Sequence, residues 1–246
     1  MHNWQLTAAP IAYMGAPLAL LLLARVNTVV RRFHEGRSCW EATINNSRNI
    51  ASVVSSAGNE PDNDQLKARC CRLLVCYAWA VKAANRYENP TVRPVFQALL
   101  GKEEAQQASR SRKPSMHVLS LLRRATMGLS RKLPLACSEE LQRSISDLNS
   151  AFGDTERLMS TPLSPTYMRH SSRSLLLLLG LLPATLIGAG ITSLPKLMVA
   201  VLGTAYVGIG IDEIGIQTEM PFDILPLHGM AAIITRDVEN ELCKKF

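Results

Sequence analysis

The chain has 246 residues, 47% of them hydrophobic, and a formal net charge of +7 at pH 7. The charge is segregated: Met1–Ala24 holds no Lys, Arg, Asp or Glu, Ser174–Pro195 is 22 uncharged residues, and Leu197–Ile211 is another 15, set apart only by Lys196. A soluble domain is excluded, because its core helices keep a polar face, and the pattern describes an all-α integral membrane protein with one large aqueous portion.

In chain order, residues 1–24 form the first predicted span. Leu6–Ala24 reaches the ~20 residues that cross a bilayer, and a membrane helix tolerates its Pro10 and Pro17. The segment lacks the positive amino end of a secretory signal and runs straight into Arg25. Residues 25–173 form a basic cytosolic or stromal region with 23 Lys and Arg against 13 Asp and Glu. Within it, Asn27–Ser55 reads as a helix continuing out of the membrane, Gly58–Asp64 as a turn, and Gln65–Arg86 as a packed helix carrying Leu66, Leu73, Tyr77 and Val81. Gly101–His117 is poor in large apolar groups and reads as a mobile loop. Ser138 is placed to cap a helix over Glu139–Asn149, whose stripe of Leu141, Ile145, Leu148 and Phe152 reads as core.

Residues 174–211 hold two further spans joined by a short turn at Thr192–Lys196. Gly180, Ala184 and Gly188, and then Ala200, Thr204 and Gly208, put small residues on one face of each, where membrane helices can approach closely. Residues 212–246 form an acidic tail with 3 basic and 7 acidic residues. Arg25, Arg31, Arg32 and Arg37 follow the first span, and Arg169 and Arg173 precede the second, so the positive-inside rule puts the middle region and the tail on one inner side.

The six cysteines (Cys39, Cys70, Cys71, Cys76, Cys137 and Cys243) show no zinc spacing and read as small hydrophobes. No HExxH, P-loop, GxGxxG or Gly-x-Ser-x-Gly pattern occurs, so an enzyme is not expected, and neither is a cofactor or a resident metal. The basic charges are dispersed and topology accounts for them, which argues against nucleic acid as a partner.

Two segments carry a family resemblance. Arg25–Arg48 reads RVNTVVRRFHEGRSCWEATINNSR. With Arg25, Asn27, Arg32, Glu35, Arg37, Trp40 and Arg48 in register, it resembles the second span of the bestrophin anion channels and its inward extension. In Pro165–Leu227, Tyr167, His170 and Arg173 resemble that family's approach to its third span. Asp212–Glu213, Glu219, Pro221–Phe222 and Leu225–Pro226–Leu227 resemble its exit from the fourth. The PF-x-I-LPL form is similar to the plant and algal branch, which sits in chloroplast thylakoid membranes.

The resemblance implies a homopentamer in the lipid bilayer, passing chloride and related monovalent anions such as bicarbonate. It also implies a pore neck one helical turn apart on the second span, here Ala16, Leu20 and Ala24. Neck positions in the family are bulkier, so the alanines imply a wider neck or a shifted register. Four spans are expected of the family and three are legible here, with the missing one placed before Met1. A truncated, non-conducting structural or assembly paralog is therefore the alternative reading. The acidic run that follows Pro-Phe in the animal branch is absent, so calcium independence is expected. An arginine at the membrane edge must pair or face water, and Glu35, Glu213 and Glu219 are the expected partners of Arg25 and Arg32, bracing helices rather than touching ions.

Overall fold

A computed structural model describes residues 9–58 and 61–242. Among them there are ten α-helices, one 3-10 turn and no strand. The helices are α1 (Ala9–Ser55), α2 (Pro61–Asn85), α3 (Arg93–Leu99), α4 (Lys102–Arg110), α5 (Pro114–Ser130), α6 (Leu135–Ser160), α7 (Pro165–Gly188), α8 (Leu194–Gln217), α9 (Pro221–Ile224) and α10 (Leu227–Leu242). The chain divides into two compact units, one built from residues 9–34 with Thr161–Met220, the other from Glu35–Ser160 with the residues after Met220. Helices α1, α7 and α8 are long and apolar enough to cross a bilayer. At 1.5 Å per residue, the 24 residues of α7 or α8 give ~36 Å against a hydrocarbon core of ~30 Å.

In the first unit, Leu18 and Leu22 of α1 pack on Leu175 and Leu178 of α7, with Met14, Leu179 and Ile211 partly buried around them. Gly208 of α8 lies close to α7: a Cβ there would sit 2.9 Å from Leu175 Cδ1. The small-residue reading is thus realised within the protomer at Gly208. It is not at Gly180, which has nothing within 4 Å and is exposed together with Ala184 and Gly188. The connection between α7 and α8 is Ala189–Ser193, shifted from the expected Thr192–Lys196. It turns at Gly190, whose φ of 88° suits a residue without a Cβ, while Lys196 falls in the first turn of α8.

The second unit has a conventional core. Helix α2 is central to it: Cys70, Leu73, Leu74, Cys76, Tyr77 and Val81 are all buried. Tyr77 donates its hydroxyl to the Leu148 carbonyl of α6 at 2.9 Å. Trp79 bonds Thr235 Oγ1 of α10 at 3.1 Å and meets the His228 ring edge-on. Leu141, Ile145, Leu148 and Phe152 are buried, as the stripe predicted. On α10, Leu227, Ala231, Ile234 and Val238 form the matching buried row.

Three sequence expectations for this unit are corrected. Gly101–His117 is not one loop: Lys102–Arg110 is a helix, and α5 starts at Pro114. Lys, Glu, Ala and Gln all favour helix. Ala105 and Ala108 are buried on its inner side and Arg69 pairs with Glu104, so small side chains suffice to seat it. Ser138 is inside α6, donating its backbone N–H to the Pro134 carbonyl; the helix starts just after Pro134, four residues earlier than the cap reading. Helix α2 begins at Pro61 with Asp62 and Asp64 in its first turn, where a fixed φ and negative charge are both favourable, so the turn is shorter than Gly58–Asp64. Cys39 and Cys137 are half-buried, and Cys243 lies outside the described residues.

Candidate functional site

Residues 18, 22, 25 and 29 recur at helical spacing and form the packed face of α1; all four are buried. Three are aliphatic. The fourth, Arg25, is 1% exposed. Its guanidinium pairs with Asp212 of α8 and donates to Ser171 Oγ of α7 at 3.2 Å. Ser172 donates to both carboxylate oxygens of Asp212, at 3.1 and 2.9 Å. One arginine thus ties all three apolar helices of this unit together through charge-assisted bonds, the strong kind in a dry setting. Gly215 makes room for it. A Cβ there would lie 2.7 Å from Arg25 Nε and 3.2 Å from Cζ, so the absence of a side chain is what lets the guanidinium lie against α8.

The expected glutamate partner of Arg25 is corrected here. The acid beside Arg25 is Asp212, one residue ahead of Glu213. A single helical step turns a side chain by ~100°, which carries Glu213 onto the exposed surface, where it accepts from Gln217 at 2.8 Å. Glu219 is half-buried and Glu35 exposed. The signal that could have found Asp212 was already in the sequence: an acid at the end of an uncharged run has the same need of a partner as Arg25. Arg32 donates Nη1 to the Thr161 carbonyl at 2.8 Å. Tyr167 donates its hydroxyl to the Leu21 carbonyl at 2.7 Å. Asn27, His170 and Arg173 are exposed.

The opposite side of the early part of α1 is exposed among the described residues. Ala16, Leu20 and Ala24, one turn apart, are all exposed, Leu20 by 68%. Two steps from Leu18 to Leu20 turn the helix by ~200°, so the row that register predicts for a neck points away from the face anchored by Arg25.

The remaining motif residues lie in the second unit. Gly36 sits against Pro221 and Phe222, a Cβ there meeting the Pro221 ring at 3.2 Å. Trp40 is fully buried. Arg48 sends Nε and Nη2 to Asp237 Oδ2 at 2.8 and 2.6 Å, and Arg37 pairs with Glu41 one turn on. Sequence reasoning missed Arg86, which donates to the carbonyls of Phe222 and Leu225 at 3.2 and 2.9 Å and so fixes the turn after Pro221. Nothing local to Arg86 marks that role; it exists only once α2 meets the tail.

Comparison with known proteins agrees with this architecture. Residues 1–240 match the family described as Bacterial/Fungal Bestrophin protein. A voltage-dependent anion channel-forming protein of Nostoc sp. is 26% identical over 233 residues, covering 91% of this chain and 74% of that protein. Voltage-dependent chloride channel 2, chloroplastic, of Arabidopsis thaliana is 25% identical over 243 residues, covering 98% and 58%. Among solved structures, a bacterial bestrophin homolog from Klebsiella pneumoniae superposes with a TM-score of 0.85 at 24% identity, covering 96% of this chain and 88% of that one.

Proposed function

This chain belongs to the bestrophin family, and from that premise we propose that it is the subunit of a membrane channel for chloride and similar monovalent anions, bicarbonate included, with no chemical step. The names of the cyanobacterial and plant relatives support the anion-channel reading. The observation that carries it into this chain is the exposed row of Ala16, Leu20 and Ala24 on a helix whose other face is anchored by a buried Arg25–Asp212 pair. In a homopentamer, as the family resemblance implies, that row lines the axis and five Leu20 side chains form an apolar constriction that gates by wetting. The early part of α1, with α7 and α8, crosses the bilayer. Residues 25–173 and the tail share the inner side, because the arginines flanking the spans favour it. The PF-x-I-LPL form and the chloroplastic relative support the thylakoid membrane as the location.

The test is single-channel recording in planar bilayers. Leu20→Ala should ease wetting and raise conductance, and Leu20→Glu should repel anions and favour cations. If the wild type conducts and both variants match it, Leu20 is a lipid-facing or packing residue and the neck assignment fails. A wild-type assembly without conductance would replace the channel with a structural subunit.

A further inference from the structure

An apolar neck gates by wetting, whereas the choice between anions and cations comes from charged side chains along the path. Through the whole neck there is none, because Met1–Ala24 carries no Lys, Arg, Asp or Glu. Arg25 follows at once but faces away from the exposed row: it is 1% exposed and its charge is matched by Asp212 of α8. Arg32, half-buried, lies on that same packed side and donates to the Thr161 carbonyl.

The exposed row itself continues past Ala24. Seven residues from Leu20 to Asn27 turn a helix by ~700°, and eleven from Leu20 to Arg31 by ~1,100°, so both return to within ~20° of the Leu20 direction. Asn27 and Arg31 are exposed. Val29, on the packed face, is 1% exposed, and the two steps from it to Arg31 are the ~200° that carry a side chain to the other side. At 1.5 Å per residue, Arg31 stands ~10 Å beyond Ala24 along the helix. It enters no ion pair among the described residues. His34 and Glu35, both exposed, come one turn later, and the exposed Arg169 and Arg173 belong to α7, which packs on the opposite face of α1. Arg31 is therefore the first unmatched charge on the row that carries the neck. The positive-inside rule accounts for an arginine at this depth but not for its place on that row.

We propose that Arg31 is the charge filter of the pore. The proposal rests on the channel reading above: around the axis, the copies of Arg31 form a cationic ring at the inner end of the neck, and this ring, rather than the neck, makes the path prefer monovalent anions to monovalent cations. Asn27, between neck and ring, supplies carboxamide N–H donors to an anion leaving the apolar stretch. The field of exposed arginines reaches about one Debye length, ~8 Å at ~0.15 M salt and ~3 Å at ~1 M, so the filter is strong in dilute salt and fades in concentrated salt.

Reversal potentials across a KCl gradient, recorded from the full chain in planar bilayers, test this. Arg31→Gln should lower the chloride-to-potassium permeability ratio by about tenfold or more in dilute salt, and Arg31→Glu should reverse the preference. Arg31→Lys should keep it, because a point charge suffices and no fork geometry is used. Near ~1 M salt the wild type and Arg31→Gln should converge. A conducting wild type whose ratio is unchanged in both Arg31→Gln and Arg31→Glu would overturn the proposal and leave the channel reading standing. So would an Arg31→Lys as unselective as Arg31→Gln, or a loss of selectivity indifferent to salt, since either would assign Arg31 a packing role. A wild-type assembly without conductance would overturn the channel reading and the filter with it.

Discussion

Removing the carboxylate from Asp212 isolates the contribution of the buried cluster. In Asp212→Ala, Arg25 keeps its 1% exposure and its bond to Ser171 but loses the one acid that pairs with it among the described residues, while Ser172 is left with the Met168 carbonyl as its acceptor. Breaking a buried pair by deleting one partner costs about 3–5 kcal/mol, because the other charge stays desolvated. At ~1.4 kcal/mol per factor of ten, the folded-to-unfolded ratio falls by roughly two to three and a half orders of magnitude. Replacing both partners by apolar groups of similar size, Arg25→Met with Asp212→Leu, removes the stranded charge as well and is expected to be neutral or stabilising by ~1–4 kcal/mol. Asp212→Asn should fall between, since it retains acceptor geometry without the charge. Equilibrium denaturation in mixed micelles, followed by the helical circular dichroism signal, measures these proteins and the single variants Arg25→Met and Asp212→Leu. Two results would refute the reasoning: a cost below ~1 kcal/mol for Asp212→Ala, or a double variant as unstable as the sum of the singles. The first would place water at the pair; the second would mean that each side chain packs independently of the other.

Three further outcomes follow from the same structure. Gly215→Ala, whose Cβ would fall 2.7 Å from Arg25 Nε, should destabilise by ~1–3 kcal/mol as an overpacked site, whereas Gly180→Ala, with nothing within 4 Å, should be neutral or gain about 0.5–1 kcal/mol from helix propensity in the same melt. Burial pushes the Cys70 and Cys76 thiols up to about 12 from 9.0, so they should resist maleimide at pH 8 until the chain is unfolded. Because the folded state holds these protons longer than the unfolded one, their contribution is complete below pH 9.0 and is lost as pH rises toward about 12; denaturation midpoints should fall across that window, and Cys70→Ala/Cys76→Ala should flatten the fall. Trypsin applied to sealed vesicles should cut after Arg110 or Arg112, exposed where α4 gives way to α5, from the same side that removes a carboxyl-terminal tag; cleavage from opposite faces would reverse the topology.

The sequence by itself determined what depends on composition along one helix. Uncharged runs long enough to cross a bilayer, the apolar stripe Leu141–Phe152, and the continuation of α1 to Ser55 are local properties, and periodicity states them directly. The family resemblance rested on the same footing, since Arg25–Arg48 and Pro165–Leu227 carry their side-chain order whatever the packing. Helix α4 escaped because its inner face is built from Ala105 and Ala108, and alanine marks a core position only when a neighbour is already in place. The same holds for partner choice. Arg25 announced its need for an acid, and Asp212, closing an uncharged run, a need for a base, but the distance between them is not written in the sequence; the rotation of α8 against α1, permitted by Gly215, is what turned Asp212 inward and Glu213 out. Arg86 and Asn85 make the point from both directions, one satisfied by carbonyls 136 and 139 residues away, the other buried without a partner among the described residues. Long-range polar pairing is decided by tertiary contact because a buried donor or acceptor is worth little or costs much according to a difference of an ångström in what faces it, and no spacing along the chain encodes that distance.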